Sequence, residues 1–192
     1  MPTLLGIQVA QARRIQVEGR TLLSAIYKQS VSGPVEVKPL GLAGDDQADL
    51  SVHGGLDKAV YAYPSEHYPF WQAARQQAGV TDLDDRLPFG AVGENLTLQG
   101  LLESEVWVGD VLQFKHCALR VTQPREPCFK FNLAMGLNTA SKLMAQHGCC
   151  GFYLAVDTPG PVLAGESFAL LPGPRRLGIP EMFRAKLFKH LR

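Results

Sequence analysis

Glu105-Val106-Trp107-Val108-Gly109-Asp110-Val111-Leu112-Gln113-Phe114, followed closely by Cys117-Ala118-Leu119-Arg120-Val121-Thr122, is the stretch whose reading decides the fold. Its first part holds two apolar pieces rich in β-formers around a Gly-Asp that suits a turn or bulge. Its second part alternates, with Cys117, Leu119 and Val121 on one face. Working outward, Val35-Glu36-Val37 alternates and ends at Pro39. Residues 58–63 read K-A-V-Y-A-Y and stop at Pro64. Residues 151–157 form a nearly continuous apolar run, as a buried strand does. Residues 165–171 form another, and its Gly165-Glu166 opening echoes Gly109-Asp110. The 13 prolines and 19 glycines are spread along the whole chain, which favours many short strands over long helices.

Three helices are expected. Ser65 caps one running to about Gln77, with Pro69 near its first turn, where a missing N–H costs little, and Gly79 as its stop. Residues 139–147 make a second, closed by Gly148. In residues 179–191, Ile179, Phe183, Leu187 and Leu191 recur at four-residue spacing beside Lys186 and Lys189, an amphipathic helix starting near Pro180. Pro172-Gly173-Pro174 reads as a hinge before it. The pattern predicts a mainly β fold with peripheral helices, a barrel or a sandwich; periodicity does not choose between them.

At 192 residues the chain suits one sizeable domain. Hydrophobic residues at 46% and charged ones at 19% give a globular balance. A net charge of +1 gives no bulk argument for a nucleic acid polymer or an anionic membrane, so anion recognition must come from local clusters. The N-terminus shows no basic segment leading into an apolar one, and no window approaches the roughly 18 apolar residues of a membrane span. A cytoplasmic protein with no membrane partner is the expectation. The four cysteines are too sparse for a disulfide scaffold, and without a C-x-x-C pair they argue against structural zinc.

Three segments carry chemistry. In Gln123-Pro124-Arg125-Glu126-Pro127-Cys128-Phe129-Lys130, two prolines stiffen the backbone, and Arg125 and Lys130 bring positive charge to the Cys128 thiol. Positive charge, and the start of a helix here, favour the thiolate, the form that binds a soft metal. The same features also suit a buried cysteine in a turn. The second segment is G-L-A-G-D-D-Q-A-D at 41–49 and H-G-G-L-D-K-A-V at 53–60. Gly54 and Gly55 allow close backbone approach, and with Lys58 and His53 could hold an anion; a turn with solvated charges is the plainer reading. The third is G-A-V-G-E-N-L-T at 90–97, where Glu94 and Asn95 offer hydrogen-bonding groups, or simply make a turn. Cys117, the neighbouring Cys149 and Cys150, the histidines 67, 116, 147 and 190, and Trp71 and Trp107 are assigned to packing or surface.

Taken in order, these segments, with V-G-D-V at 108–111 and Y-P-S-E-H-Y-P-F-W at 63–71, resemble the MOSC family, in its YiiM-like branch, over about residues 28–171. The name abbreviates molybdenum cofactor sulfurase C-terminal. The resemblance implies a MOSC-type β-barrel with peripheral helices over residues 1–172, and a short helical tail, 173–192, in place of the branch's three-helix C-terminal segment. It implies that Cys128 ligates molybdenum in Mo-molybdopterin, the other ligands being the pterin dithiolene and oxo groups. Arg125, Lys58, His53, Lys28 and the Gly54-Gly55 backbone would hold the pterin phosphate, and Asn95 and Glu94 the pterin or substrate. The implied reaction is a two-electron reduction of an N-hydroxylated compound such as 6-hydroxylaminopurine.

No G-x-G-x-x-G stands between a strand and a helix, so an external reductase is expected to supply the electrons. A carrier that holds the cofactor without turnover is the alternative. A metal-free Cys128 hydrolase is a third reading, weakened by the want of a placed histidine. A homodimer is left open. Phe152 and Ala155 depart from the Trp and Arg usual in the family stretch; losing that arginine removes an anion contact.

Overall fold

The structure, a computed structural model, describes residues 1–17, 19–48, 54–80 and 86–189. Its strands are β1 (Thr3–Val9), β2 (Arg13–Val17), β3 (Arg20–Ser24), β4 (Gln29–Ser30), β5 (Val35–Lys38), β6 (Gly41–Leu42), β7 (Val60–Pro64), β8 (Leu96–Gln99), β9 (Val111–Gln113), β10 (Ala118–Pro124), β11 (Phe152–Thr158), β12 (Gly160–Val162) and β13 (Ala169–Leu171). Four α-helices join them: α1 (Tyr68–Gln77), α2 (Phe129–Met135), α3 (Ala140–His147) and α4 (Ile179–Lys189). Among the described residues no helix is long and apolar enough to cross a membrane.

The main sheet has eight strands in the order β13-β9-β10-β11-β7-β8-β1-β4. Its neighbours are antiparallel except β7 and β8, which run parallel. The mainly β expectation therefore holds. The sheet curls so that its two ends approach. Leu4 N–H donates to Glu166 O at 2.9 Å, Gly165 N–H to Leu4 O at 2.7 Å, and Phe168 N–H to Pro2 O at 3.1 Å. These bonds join β1 to the segment before β13 without a continuous ladder, so among the described residues the sheet is not closed by strand pairing. β12, β5 and β6 make a second sheet, and among the described residues β2 and β3 pair only with each other.

The alternation at 117–122 has the predicted effect: Cys117, Leu119 and Val121 are buried while Arg120 is exposed. All five residues of β7 are buried, since it lies inside the sheet between β11 and β8. The core gathers Tyr63, Trp71, Phe131 and Phe152, each sealed from solvent. Trp71 Nε1 donates to the Tyr63 hydroxyl at 2.6 Å, satisfying its one polar group.

Several expectations shift. Residues 106–108 form no strand; Trp107 makes one bridge, to Gly178. Buried Asp110 organises this turn, accepting Trp107 N–H at 3.1 Å and Gly173 N–H at 2.7 Å. Residues 56–58 form a 3-10 turn, so the next strand starts at Val60. Ser65 does not cap α1: residues 65–67 make their own 3-10 turn, and His67 holds the cap position. Only the last three residues of 165–171 pair with β9; the earlier ones bond β1 instead. The chain after Leu171 is tied back by Val108 N–H to Leu177 O and Ile179 N–H to Val106 O, each at 3.0 Å. Ile179 and Phe183 of α4 are buried in the core.

Candidate functional site

The segment from Gln123 to Lys130 leaves β10 at Pro124 and enters α2 at Phe129. Cys128 is the residue before the helix, with extended backbone angles of φ −140° and ψ 163°. Its carbonyl accepts Phe131 N–H at 3.0 Å and the Ser141 hydroxyl of α3 at 2.8 Å. The backbone is thus pinned while the residue as a whole stays half-buried. From the other side, Lys186 of α4 donates to Gln123 Oε1 at 2.8 Å and Glu126 Oε1 at 2.5 Å.

Cys128 lines a cleft that opens to solvent. Four cationic residues share its wall: Lys28, Lys58, Arg125 and Lys130. So do Asp45, Asp46, the rings of Tyr61 and Tyr153, and the chain from Ser24 to Ile26.

Arg125 is 4% exposed. Its Nη1 donates to the Val92 carbonyl. Its guanidinium carbon lies 4.9 Å from the Tyr61 ring centre and 5.0 Å from that of Phe131, a cation between two aromatic faces. Burial disfavours its charge, but the hydroxyl of Tyr61 and the sulfur of Cys128 outweigh this, and the group stays firmly protonated. The coupling is mutual: a fixed guanidinium favours the Cys128 thiolate over the thiol.

Lys28 is paired. Its Nζ lies 2.5 Å from Asp45 Oδ1, and both side chains are largely buried. Burial pulls its pKa below that of a free lysine, against the opposing pull of Asp45. Lys58 Nζ sits 5.9 Å from the Tyr153 ring centre. Tyr153 in turn packs on Tyr61 at 5.3 Å. Burial raises both phenols, so each is a neutral hydrogen-bonding wall rather than an acid.

The remaining candidates fall differently. Asn95 lines the cleft, but Nδ2 is bonded to Gln8 O at 3.2 Å and Asp45 Oδ2 at 2.8 Å, while Oδ1 accepts Tyr61 N–H at 3.0 Å. It braces β7 and Asp45 rather than offering free groups. Glu94 is fully buried and is not among the residues lining the cleft. Its Oε1 accepts from the Tyr68 hydroxyl, from Gly90 N–H at 2.7 Å and from the Thr97 hydroxyl at 2.9 Å. Both residues lie just before β8, with Glu94 bonded to Tyr68, Gly90 and Thr97 and Asn95 to Gln8, Asp45 and Tyr61.

The glycines of that segment serve close packing. Gly93 has φ +86°, and a Cβ there would meet Ile26 Cγ1 at 2.9 Å. Gly54 and Gly55 border the site without lining the cleft, and Gly55 N–H donates to Gln47 Oε1 at 2.8 Å. His53 lies outside the described residues. Among the described residues no group of three or more His, Cys, Asp or Glu could hold a metal ion.

Sequence reasoning missed Tyr61, Tyr153 and Asp45 as parts of the site. Asp45 stood inside the quoted glycine-rich motif, and only its spatial meeting with Lys28 reveals its part. The tyrosines read as ordinary strand residues.

Comparison with known proteins places these features in a wider group. Residues 49–169 match the profile of the family described as MOSC domain. The chain is 39% identical over 148 residues to Protein YiiM of Escherichia coli, covering 77% of this chain and 64% of YiiM. It is 36% identical over 172 residues to a Gibberella moniliformis protein named Reductase, covering 89% of this chain and 29% of that protein. Among solved structures, YiiM from Geobacillus stearothermophilus superposes with a TM-score of 0.76 at 30% identity, over 100% of this chain and 87% of that one.

Proposed function

The chain belongs to the MOSC domain family, and on that premise we propose that it binds Mo-molybdopterin at Cys128 and reduces N-hydroxylated compounds by two electrons. One observation carries the reading. A half-buried thiol stands beside a buried, permanently charged Arg125 in a cleft that also holds Lys28, Lys58 and Lys130. Soft sulfur in a cationic setting suits a soft metal, and the cations suit a phosphate-bearing pterin.

The residues present fit that group. Cys128 would be the single protein ligand to the metal. Arg125 is committed to Val92 and the two rings, so its part is to hold the thiolate charged. Lys58 and Lys130, on the cleft wall, would meet the phosphate; Lys28 acts there as an ion pair with Asp45. His53, Gly54 and Gly55 are proposed as further phosphate contacts on their place in the motif alone. Tyr61 and Tyr153, their rings tilted 42° to each other, give the cleft an aromatic side for a purine or pterin ring.

The bound cofactor would supply the two-electron redox chemistry at a metal centre. The net change is R–NHOH + 2e⁻ + 2H⁺ → R–NH₂ + H₂O. The N–O bond breaks, nitrogen is reduced, and the oxygen leaves as water. The chain's own contribution is orientation, charge and partial exclusion of solvent. We place the protein in the cytoplasm, with a small N-hydroxylated substrate and an external electron donor as partners.

The test is expression in a host that makes the cofactor, with metal analysis and turnover measured on wild type and Cys128→Ala. The expected result is near-stoichiometric molybdenum in wild type, loss in the variant, and adenine formed from 6-hydroxylaminopurine with a chemical reductant. Equal molybdenum in both proteins overturns the Cys128 assignment. Stoichiometric cofactor without adenine replaces the reductase by a carrier.

A further inference from the structure

We propose that the β2–β3 hairpin and the exposed side of α2 form the docking surface for an acidic electron-donor protein. This rests on the reductase reading, because N–O reduction draws two electrons per turnover from outside the chain. A donor protein supplies them as one dihydroflavin oxidised to flavin, or as two one-electron carriers oxidised in succession.

Among the described residues the hairpin pairs with no other strand. Its register sets Ile15 opposite Leu22 and Val17 opposite Arg20, and directly opposed residues share a face. Ile15, Val17 and Leu22 therefore form one apolar face, flanked by Arg13 and Arg20. None of the three is among the hydrophobic residues packed on the main core. A lone two-stranded ribbon is marginal by itself. Here Arg13 over the Tyr27 ring, at 4.4 Å, helps to hold its foot.

The hairpin stands at the rim of the cleft. Ser24, at the end of β3, lines it, as do Ala25 and Ile26 just beyond. Lys130 of α2 donates to the Leu23 carbonyl at 3.4 Å, joining the hairpin to the helix that begins after Cys128. At this junction Leu23 is 48% exposed, Phe129 50% and Leu133 38%. Phe129 and Leu133, four residues apart, lie on one side of α2. Leu23 sits opposite Arg14 on the hairpin's other, exposed face, so the apolar centre beside the metal ligand is Leu23 with Phe129 and Leu133, bordered by Arg14 and Lys130, the composition of a small redox-encounter interface.

Charge selects the partner. Residues 13–23 carry three arginines against one acid, Glu18, in a chain of net charge only +1. The local excess steers an acidic protein and repels a symmetrically docked second copy. Proximity to Cys128 gives an electron carrier a reason to bind there, which neither a membrane nor a nucleic acid has.

The test uses the full chain loaded with cofactor and the Arg13→Glu/Arg14→Glu/Arg20→Glu variant. The probes are a purified flavodoxin and a purified plant-type ferredoxin, both acidic, with vesicles of phosphatidylserine and phosphatidylcholine as a third. Binding is measured by interferometry at low and physiological salt; turnover is measured with reduced carrier and with reduced methyl viologen. Wild type is expected to bind one carrier, weakening by about tenfold or more as salt rises. The variant should lose about tenfold or more in carrier binding and carrier-driven turnover, with viologen-driven turnover unchanged.

Equal carrier binding by wild type and variant, or binding of neither carrier, overturns the proposal. So does binding of vesicles alone, or self-association that the variant abolishes without carrier binding. Failure of viologen-driven turnover in wild type is a failure of the reductase reading, and the binding measurement still decides the docking surface.

Discussion

Asn95 Nδ2 donates to Asp45 Oδ2 at 2.8 Å, while the other oxygen of Asp45 holds Lys28 Nζ at 2.5 Å. The acid is thus aimed by an amide from β7's neighbour loop and neutralised by a lysine from before β4. Because burial lowers the Lys28 pKa below 10.5, the folded chain releases this proton at lower pH than the unfolded chain. Between those two values the unfolded state holds more protons, so stability from this group rises with pH and is complete by about 10.5. Urea melts of wild type and Lys28→Met should therefore show wild type gaining on the variant as pH climbs through that window. Taking the difference cancels the buried tyrosines, whose contribution runs the opposite way above 10. A flat or falling difference would refute the assignment.

The four thiols should separate cleanly. Burial pushes Cys117 up to about 12 and Cys149 up to about 11, and raises Cys150 well above an ordinary thiol. Cys128 alone is partly open and faces a guanidinium. Cofactor-free native protein near neutral pH should titrate with Ellman's reagent as one fast thiol, and Cys128→Ala as none. All four should appear on denaturation. A fast thiol surviving in the variant would mean that the site is misassigned.

Arg125→Met should affect both stability and chemistry. It leaves the Val92 carbonyl without its donor and removes the cation from between Tyr61 and Phe131. The expected loss is about 1–3 kcal/mol. With the guanidinium gone, less of Cys128 is thiolate at neutral pH, so iodoacetamide should alkylate it more slowly and its reactivity midpoint should move upward. A destabilised variant with unchanged alkylation kinetics would confine Arg125 to a structural part.

How much of this was legible beforehand follows from which interactions are local. The alternation of 117–122 and the stops at Pro39 and Gly148 are local, and the strands and helix they predict are present. Residues 106–108 look like a strand, yet Asp110 and the distant Gly173 and Gly178 bind them as a loop. Strands β1 to β4 carry little periodicity and take their form from pairing. In the site, Cys128 and Arg125 could be read from one motif because the prolines and charges sit within a few residues. Asp45 and the two tyrosines could not, since their roles arise only where separate segments meet. Adjacent residues also mislead: Glu94 and Asn95 share a motif, but of the two only Asn95 lines the cleft.

Glu94 gives the sharpest contrast with the cleft residues. It is fully buried, its Oε1 collects three donors, and its Oε2 has no hydrogen-bond partner. If it served cofactor binding, any change there would lower molybdenum content. As an internal acceptor it should instead show a stability effect that depends on which donors are abandoned. Glu94→Ala strands Tyr68, Gly90 and Thr97 together and should cost about 2–4 kcal/mol, one desolvation penalty of about 1–3 kcal/mol being exceeded when several donors are lost. Glu94→Gln keeps an acceptor oxygen for all three and should lose markedly less in chemical denaturation. In folded, cofactor-loaded protein, Glu94→Gln should retain molybdenum at the wild-type ratio. Near-wild-type stability combined with a lost cofactor would return Glu94 to the binding site.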